Sequence, residues 1–375
     1  WSSDVCSSDL TESLASFLHP SLAHLDDRGL VQHVLWLDDG RLPAVMRVLP
    51  PGVGVTAVRV GRHETGGWAD LRRALQGLLR QPGVRYVHFH GLRPWLVGLS
   101  IGGAAQTHRP ACFVSPHGSR LLPLLPWFMR LERHLPWCRR RPATTIISTS
   151  EVETRRLGAV GLDVVGGVGV VDEAFWQAPR REAAHPCVIG GAYPPSREGA
   201  RRLAWLAVIL SDLAPGIEFR WLGRTAPALG DQLHAASVHC PAWGQTREVL
   251  RAMDGAWVFV ASQADPRWPL MLAQAMAAGL PCVAVRTPQH MALTENGRAG
   301  LLVDDDAGLL EAVGALLDNP ALRQRLGQTA RESAAARYRI HYLRSELRRG
   351  YDALLHEAGD PGRPAPVTPV TEPLR

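Results

Sequence analysis

The sequence contains no lysine, so all 41 of its Lys+Arg residues are arginines. Several kinds of chemistry depend on an ammonium group or a free amine: the Walker phosphate loop, the strand lysine of protein kinases and the Schiff base of imine-forming enzymes. None of these has a residue to work with here. The absence excludes those classes and leaves arginine and main-chain amides as the groups that bind anions.

Cysteine is also scarce, with six residues in 375 and no Cys-x-x-Cys pair. This spacing favours neither a zinc knuckle nor a dense disulfide scaffold, and a reduced cytosolic compartment is the simplest interpretation. Neither sign of charge dominates, because a net charge of +6 is mild for this length. It suits nucleic acid, phosphate-bearing ligands or an anionic membrane surface without choosing among them.

Long uncharged runs are nearly absent. Residues 268–285 reach the ~18 residues at which a membrane-spanning helix must be considered. Gly279 and Pro281 interrupt this run, however, and Gln274 lies in its first half. We therefore predict a buried helix followed by a buried strand.

Residues 1–10 read WSSDVCSSDL, which resembles the translation of a short-read sequencing adapter. The alternative is a polar natural leader. On the adapter interpretation, these residues carry no information about the fold. A doubly wound domain normally opens with a strand and a glycine-rich turn, whereas a helical pattern comes first here. We expect that the first strand is missing together with the authentic start.

Strand and helix patterns alternate through the rest of the chain, which predicts α/β architecture with two doubly wound parallel sheets. The length of 375 residues is consistent with two or three domains. We predict an amino-terminal Rossmann-like domain over residues 11–178 and a carboxyl-terminal one over 179–335. A helix over 336–357 and a disordered, proline-rich tail over 358–375 would follow.

One helix start in the second half has the features of an anion site. The predicted strand 256–261 leads through a short loop to Pro269, and proline is well tolerated at the first position of a helix. We expect the amides of Leu270 and Met271 to be free and to point, with the helix dipole, at the carboxyl edge of the sheet. A diphosphate would fit there, although every doubly wound domain has such helix starts.

Residues 269–284, PLMLAQAMAAGLPCVA, resemble the carboxyl-terminal signature of the family 4 retaining glycosyltransferases. Four other stretches occur in the matching order: SPHG from Ser115, STSEVETRRL from Ser148, GVVDEAF from Gly169 and WGQTREVLRAMDGAWVFVAS from Trp243. The resemblance implies the GT-B fold, in which two Rossmann-like domains face a central cleft. It also implies transfer of a sugar from a nucleotide-sugar donor with retention of configuration, without a bound metal or other cofactor.

The resemblance assigns roles to individual positions. His117 corresponds to the histidine beside the transferred sugar, and Gln274 to the second glutamate of the family's Glu, seven residues, Glu motif, which holds the donor ribose. Leu270 and Met271 correspond to the amides near the diphosphate. Two further residues fall in the loop that lines the nucleotide base, Trp243 and Gly244.

The sequence departs from the family pattern at the same site. The first glutamate of the motif falls on Pro266, with Asp265 one position earlier as a donor-binding candidate. The two bases that neutralise the diphosphate fall near Gly191 and Glu198, and we assign Arg197 as their substitute because the charge on a departing diphosphate must be offset.

Each of these candidates also has an ordinary structural interpretation. His117 precedes a glycine and fits a simple strand-end turn. Arg197 fits a solvated loop. Gln274 fits a polar side chain that bonds to nearby backbone.

Residues 119–142 form the most unusual surface candidate, because six arginines and one acid are interspersed with leucine, tryptophan and phenylalanine. This composition is typical of a segment on an anionic membrane surface. The alternative is a partly buried helix with arginines on its exposed face. No nucleic-acid-binding module is recognisable, so we expect no nucleic-acid partner.

The leading hypothesis is a cytoplasmic, peripheral membrane glycosyltransferase acting on a lipid-linked or polysaccharide acceptor. A noncatalytic, degenerate relative that binds a glycan or an assembly partner is the main alternative, since the donor motif is weakened. A sugar-nucleotide epimerase on the same fold is a third class.

Overall fold

The chain divides into two compact units. The first comprises Trp1–Thr149, Glu153–Gly167 and Arg344–Arg375, and the second comprises Ser150–Val152 and Val168–Leu343. The computed structural model on which this division rests describes residues 2–6, 18, 21–22, 32–38, 53–59, 64–81, 84, 86–101, 110–118, 122–134, 144–166, 169–192, 196–223, 227–241, 246–264 and 267–352.

The change from the first unit to the second falls at residues 167 and 168 rather than at the predicted 178 and 179. A short helix, Glu173–Gln177, explains the difference, because its Phe175 and Trp176 are buried in the core of the second unit. At the other end, a helix ends at Tyr338 and residues from 344 onward return to the first unit, so no single helix spans 336–357. The tail at 358–375 lies outside the described residues.

The first unit is built on a parallel sheet of seven strands. They are β1 (Ser2–Cys6), β2 (Gln32–Asp38), β3 (Gly54–Arg59), β4 (Tyr86–His90), β5 (Ala111–Ser115), β6 (Thr145–Ser148) and β7 (Val164–Gly166). Their order in the sheet is β3-β2-β1-β4-β5-β6-β7. Every residue of the central strand β4 is buried, as expected for a parallel sheet covered on both faces.

Strand β1 corrects the expectation for residues 1–10. It pairs in parallel with β2, Ser2 opposite Gln32, and with β4, Ser2 opposite Tyr86. Residues 2–6 therefore occupy the place of the first strand, and the prediction that this strand is missing is wrong. Between β2 and β4 a strand is needed to satisfy the backbone amides and carbonyls on both sides, and backbone pairing places little demand on side-chain identity.

The helices that connect these strands are α1 (Glu64–Leu79), α2 (Leu92–Leu99), α3 (Leu125–His134) and α4 (Glu151–Ala159). Leu122–Leu124 forms a 3-10 turn ahead of α3, and Arg348–Asp352 forms a π-helical turn. Helix α1 buries Leu71, Leu75 and Leu78, whose spacing of four and three residues places them on one face. These leucines join the core that covers the sheet.

The second unit is built on a six-stranded parallel sheet. Its strands are β8 (Cys187–Gly191), β9 (Glu218–Leu222), β10 (Val238–His239), β11 (Val258–Ala261), β12 (Cys282–Val285) and β13 (Leu301–Val303). The order is β10-β9-β8-β11-β12-β13. Nine helices of the described residues follow β7: α5 (Glu173–Gln177), α6 (Arg197–Leu213), α7 (Pro227–Ala235), α8 (Thr246–Met253), α9 (Leu270–Ala277), α10 (Pro288–Leu293), α11 (Asp306–Asp318), α12 (Pro320–Tyr338) and α13 (Ile340–Leu347).

Both sheets have the doubly wound order in which the winding direction reverses beside the first strand. The reversal lies between β1 and β4 in the first unit and between β8 and β11 in the second. Ligands of such sheets bind at this switch point, outside the carboxyl ends of the strands. The predicted α/β architecture of two doubly wound parallel sheets is confirmed.

Residues 268–285 form helix α9 followed by strand β12, as predicted, and nearly all of them are buried. Across the described ranges, none of the helices combines the length and the apolar character that a membrane crossing requires.

Candidate functional site

His117 lies in a tight turn at the carboxyl end of β5. Its φ of 51° and the φ of 68° at Gly118 are both left-handed, a conformation that is uncommon for a residue with a side chain. The His117 side chain is nevertheless buried, with 4% of its surface exposed. Such a backbone persists only when surrounding contacts hold it, and it is enriched at functional sites.

A carboxylate anchors the turn. Glu153, on α4, accepts a hydrogen bond from the Gly118 amide at 2.9 Å and one from the Ser148 hydroxyl at 2.8 Å. The Thr149 amide also bonds to it. Burial raises the pKa of Glu153, whereas these three hydrogen bonds lower it. Glu153 thus fixes the backbone next to His117.

Three buried histidines, His88, His90 and His117, form what we call the histidine array. His90 Nδ1 and His117 Nε2 lie 3.2 Å apart, and the His88 and His90 ring centroids lie 4.1 Å apart. His88 uses both ring nitrogens: Nδ1 lies 2.6 Å from the Tyr351 hydroxyl and Nε2 lies 2.8 Å from the Ser115 hydroxyl. The array occupies the carboxyl ends of β4 and β5.

Burial favours the neutral form of His88 and of His117. Desolvation lowers the pKa of His88 and of His117 well below the usual value, and the neighbouring His90 lowers both further. His117 is therefore a neutral imidazole near pH 7, which can donate or accept a hydrogen bond but supplies no positive charge.

Sequence reasoning missed the partners of His117. His88 and His90 alternate along β4, so a period of two places them on one face, and this is a usable signal. The Ser-x-x-Glu pattern from Ser150 to Glu153 is another, because it marks a helix start with an acceptor in its first turn. Nothing in the sequence pairs His88 with Tyr351, which lies 263 residues away.

In the second unit, the carboxyl ends of β8 and β11 adjoin at the switch point. A Cβ placed on Gly191 would lie 2.8 Å from Met271 Sδ, so the Met271 thioether fills the space beside the end of β8. On β11's side, the Ser262 hydroxyl donates to the Gly199 carbonyl at 2.9 Å. These contacts bring the starts of α6 and α9 together at one edge of the sheet.

The start of α9 differs from the prediction in one respect. Pro269 lies one position before the helix, with φ −80° and ψ 74°, and the Leu270 amide donates to the Trp268 carbonyl at 2.9 Å. This is an inverse γ-turn, whose central residue is held near the preferred φ of proline. The expectation of a free amide at Leu270 is wrong.

The remaining amides of this helix start are those of Met271 and Leu272. They precede the first intrahelical bond, which runs from the Ala273 amide to the Pro269 carbonyl at 3.1 Å. The side chains of Leu270 and Met271 are buried in the core, so these residues can meet a ligand only through backbone.

Arg197 is the first residue of α6 and is exposed, directly after the capping residue Ser196. Arg202, one turn further along, is already paired: it bonds to Glu198 at 2.9 Å, to Asp306 at 2.8 Å and to the Ser262 carbonyl at 3.1 Å. Arg197 therefore fits the role of a cation at this edge better than Arg202 does.

Gln274 lies on α9 and is half-buried. Trp243, Gly244, Asp265 and Pro266 fall outside the described residues, so their predicted roles stay predictions. Over the described part of the chain, no group of three or more histidine, cysteine or acidic side chains is arranged to hold a metal ion.

Helix α3 covers the described part of the unusual segment 119–142. Leu125 and Met129 are buried, whereas Trp127 is 60% exposed and Leu131 is 38% exposed. With Leu124 at 50%, the exposed residues recur every three or four positions and form an apolar stripe. The described part of the segment is thus partly buried and also has an exposed apolar stripe.

A family model described as "Glycosyl transferases group 1" matches residues 171–319, which lie within the second unit. No curated protein sequence matches the chain.

Solved glycosyltransferases are similar along nearly the whole chain. Sucrose-phosphate synthase from Thermosynechococcus elongatus has a TM-score of 0.73 at 15% identity, covering 95% of this chain and 99% of its own. HepE of Anabaena, solved with UDP and glucose, has a TM-score of 0.69 at 14% identity, covering 94% of this chain and 99% of its own. WaaG, a glycosyltransferase involved in lipopolysaccharide biosynthesis, has a TM-score of 0.66 at 14% identity, and it also covers 94% of this chain and 99% of its own.

These likenesses confirm the predicted GT-B fold.

Proposed function

We propose that the protein is a retaining glycosyltransferase that moves a hexosyl group from a nucleoside-diphosphate sugar to a lipid-linked or polysaccharide acceptor. The observation that carries this proposal is the switch point between β8 and β11, which lies inside the region that matches the family. Two helix starts and an exposed arginine adjoin this edge. HepE, which shares the fold, was solved with UDP-glucose, and this supports a UDP-sugar as the donor class.

The donor diphosphate would be held in the second unit without lysine. Arg197 supplies a guanidinium, and the Met271 and Leu272 amides supply oriented donors backed by the dipole of α9. Gln274 would bond to the ribose hydroxyls with its amide, which can both donate and accept. Trp243, Gly244 and Asp265 complete the donor site in this proposal.

Chemistry would proceed by front-face transfer. The bond between the sugar C1 and the diphosphate oxygen breaks, the acceptor oxygen bonds to C1 on the same face, and the acceptor proton passes to the departing diphosphate. Negative charge develops on the leaving group, so Arg197 and the α9 amides would lower the barrier. His117, neutral and buried, would bind and orient the transferred sugar rather than stabilise charge.

Helix α3 supports the proposed acceptor and location. Its exposed apolar stripe, with Arg130 exposed among these residues, fits an anionic membrane surface on the cytoplasmic side. WaaG acts in lipopolysaccharide biosynthesis. The shared fold agrees with an acceptor that is lipid-linked or part of a growing polysaccharide.

The test is a transfer assay with UDP-, GDP- and ADP-sugars and a membrane extract as the acceptor source, with proton NMR of the product anomer. We expect release of nucleoside diphosphate and a product that keeps the donor configuration. His117→Ala should abolish transfer without changing the thermal midpoint of unfolding by more than a few degrees. Product formed without any acceptor would point to an epimerase, and normal turnover in His117→Ala would remove its assigned role.

The noncatalytic alternative is not favoured, because the family match and the fold both point to transferases. It predicts binding of a glycan with no turnover of any donor.

A further inference from the structure

The proposed function assigns a role to His117 but none to the other residues of the histidine array. We propose that His90 is a positioning residue for His117: the hydrogen bond between His90 Nδ1 and His117 Nε2 fixes the tautomer and the orientation of the His117 ring. The importance of this ring for catalysis rests on the proposed function, whereas the positioning itself is a property of the first unit alone.

The geometry of the pair allows one arrangement at a time. The nitrogens lie 3.2 Å apart, and the two rings are nearly parallel, with 29° between their planes. A neutral imidazole has one N–H donor and one acceptor, so one ring donates to the other. The bond therefore couples the two tautomers: either His117 donates from Nε2, or His90 donates from Nδ1 and His117 carries its proton on its own Nδ1.

The backbone of His117 is held independently. Its left-handed φ of 51° is followed by Gly118, whose amide donates to Glu153. A side chain on such a turn can still rotate about its own bonds. The bond to His90 restrains that rotation, so backbone and ring are fixed by different partners.

His90 is itself braced. The His88 ring packs on it at 4.1 Å, and His88 is held through both nitrogens by Ser115 and Tyr351. Tyr351 lies in the π-helical turn Arg348–Asp352, a rare conformation that occurs frequently at functional sites. Gly350 lets this turn approach the sheet, because a Cβ there would lie only 3.2 Å from Val165. An unusual turn of the chain thus supports the histidine array.

Titratable groups face the pair from three elements. They are His88 on β4, Tyr351 on the π-helical turn, which bonds to His88, and Glu153 on α4, which accepts from the Gly118 amide. Burial and the neighbouring His90 imidazole lower the pKa of His117, which agrees with a neutral ring.

The experiment is nitrogen-15 NMR of the histidine rings in the full-length protein, with His117 assigned by comparison with His117→Gln. In the wild type we expect a single, neutral tautomer of His117 between pH 6 and 8. His90→Phe keeps a ring of similar shape but loses the nitrogen, so the His117 signals should move to values averaged between the two tautomers. His90→Asn places an amide near the Nδ1 position and should restore the single tautomer, whereas His90→Gln, which reaches further, should not.

His33→Phe is the matched control. His33 lies on β2, is half-buried and bonds to the Thr56 hydroxyl at 2.8 Å, outside the array. The His33→Phe substitution should leave the His117 signals unchanged. The proposal is overturned if His117 shows the same tautomer in the wild type and in His90→Phe, or if His90→Gln restores it as well as His90→Asn does.

Kinetics separate this proposal from the proposed function. Misplacement of a reacting geometry by about 1 Å costs on the order of 10²-fold in rate. His90→Phe should therefore lower kcat by roughly that factor with little change in KM, and His90→Asn should recover most of the rate. A wild-type protein that transfers no sugar but whose His117 tautomer still depends on His90 would contradict the proposed function while supporting the positioning role.

Discussion

The Met271 thioether occupies the place where a side chain on Gly191 would begin, with Sδ 2.8 Å from the ideal Cβ position. The resemblance to the glycosyltransferases puts a base of the donor site near Gly191. The absence of a basic side chain at position 191 is therefore coupled to packing, because Met271 at the start of α9 fills the space that such a side chain would need. Gly191 is required by packing, and its missing charge has to come from another residue.

Gly191→Arg is expected to lower stability without improving donor binding. The new side chain would displace Met271 and strain the end of β8, and overpacking of this kind costs about 1–3 kcal/mol. Urea unfolding measures the loss, and calorimetry with UDP-glucose measures binding. Gly77→Ala, on α1 with no atom near the new Cβ, is the control and should not destabilise. A Gly191→Arg protein that binds the donor more tightly would refute this explanation.

Gln274→Glu is expected to strengthen nucleotide binding. A carboxylate accepts hydrogen bonds from ribose hydroxyls more strongly than an amide does, and a gain of about 1 kcal/mol corresponds to roughly fivefold in affinity. Titration of UDP into the two proteins measures the change. Gln232→Glu, an exposed position on α7, makes the same change of charge and should have no effect.

The change in UDP affinity of Gln274→Glu also tests the noncatalytic alternative. A large gain in affinity in Gln274→Glu, starting from a wild type without turnover, would favour a degenerate binding protein.

Stability should fall as the pH drops below the ordinary histidine range. The pKa values of His88 and His117 in the folded state are lowered by burial. Below about pH 6.5 these two histidines take up protons in the unfolded chain that they do not take up in the folded protein, which favours unfolding by up to about 1.4 kcal/mol per pH unit and histidine. Glu153 acts in the opposite sense, because its pKa is raised.

Thermal unfolding of the wild type and His88→Asn at pH 8.0 and 5.5 checks this. His88→Asn removes one titrating group, so its midpoint should change less between the two pH values, even though its stability at pH 8.0 is lower. An equal or larger pH dependence in the variant would mean that His88 is not held neutral in the folded protein.

Trp127→Ser is expected to weaken binding to anionic vesicles by at least roughly tenfold, since inserting a large apolar side chain contributes about 1.5–3 kcal/mol. Co-sedimentation with phosphatidylcholine vesicles with and without phosphatidylglycerol measures it. Trp205→Ser, which removes a partly exposed tryptophan from α6, is the control. Equal binding of both variants would show that the α3 stripe does not face the membrane.

The alternation of strands and helices predicted the two sheets, because hydrophobic period and turn residues are local signals. Strand β11, for example, lies at Val258–Ala261, within the predicted strand 256–261. Strand β1 was missed for a different reason. Its composition looked foreign, whereas a backbone ladder between β2 and β4 depends on hydrogen bonding rather than on side-chain type.

The candidate site was only partly accessible from the sequence. The strand and the proline before it located the α9 start, whereas His117 was identified through the family resemblance of its SPHG motif. The inverse γ-turn at Pro269 could not be predicted from the sequence, because proline fits both the first helical position and this turn. The bond between His88 and Tyr351 joins residues far apart in the chain, and no local pattern encodes such a contact.

The central claim is that the second unit binds a nucleoside diphosphate through Arg197 and the amides at the start of α9. Calorimetric titration of UDP-glucose into the wild type, Arg197→Gln and Arg201→Gln tests it most directly. Arg201 is exposed on the same helix but one turn away from its start. We predict that Arg197→Gln weakens binding at least tenfold, as expected for the loss of a charge-assisted bond of about 1.5–3 kcal/mol, and that Arg201→Gln binds like the wild type. Equal weakening in both variants, or wild-type binding in Arg197→Gln, would contradict the account.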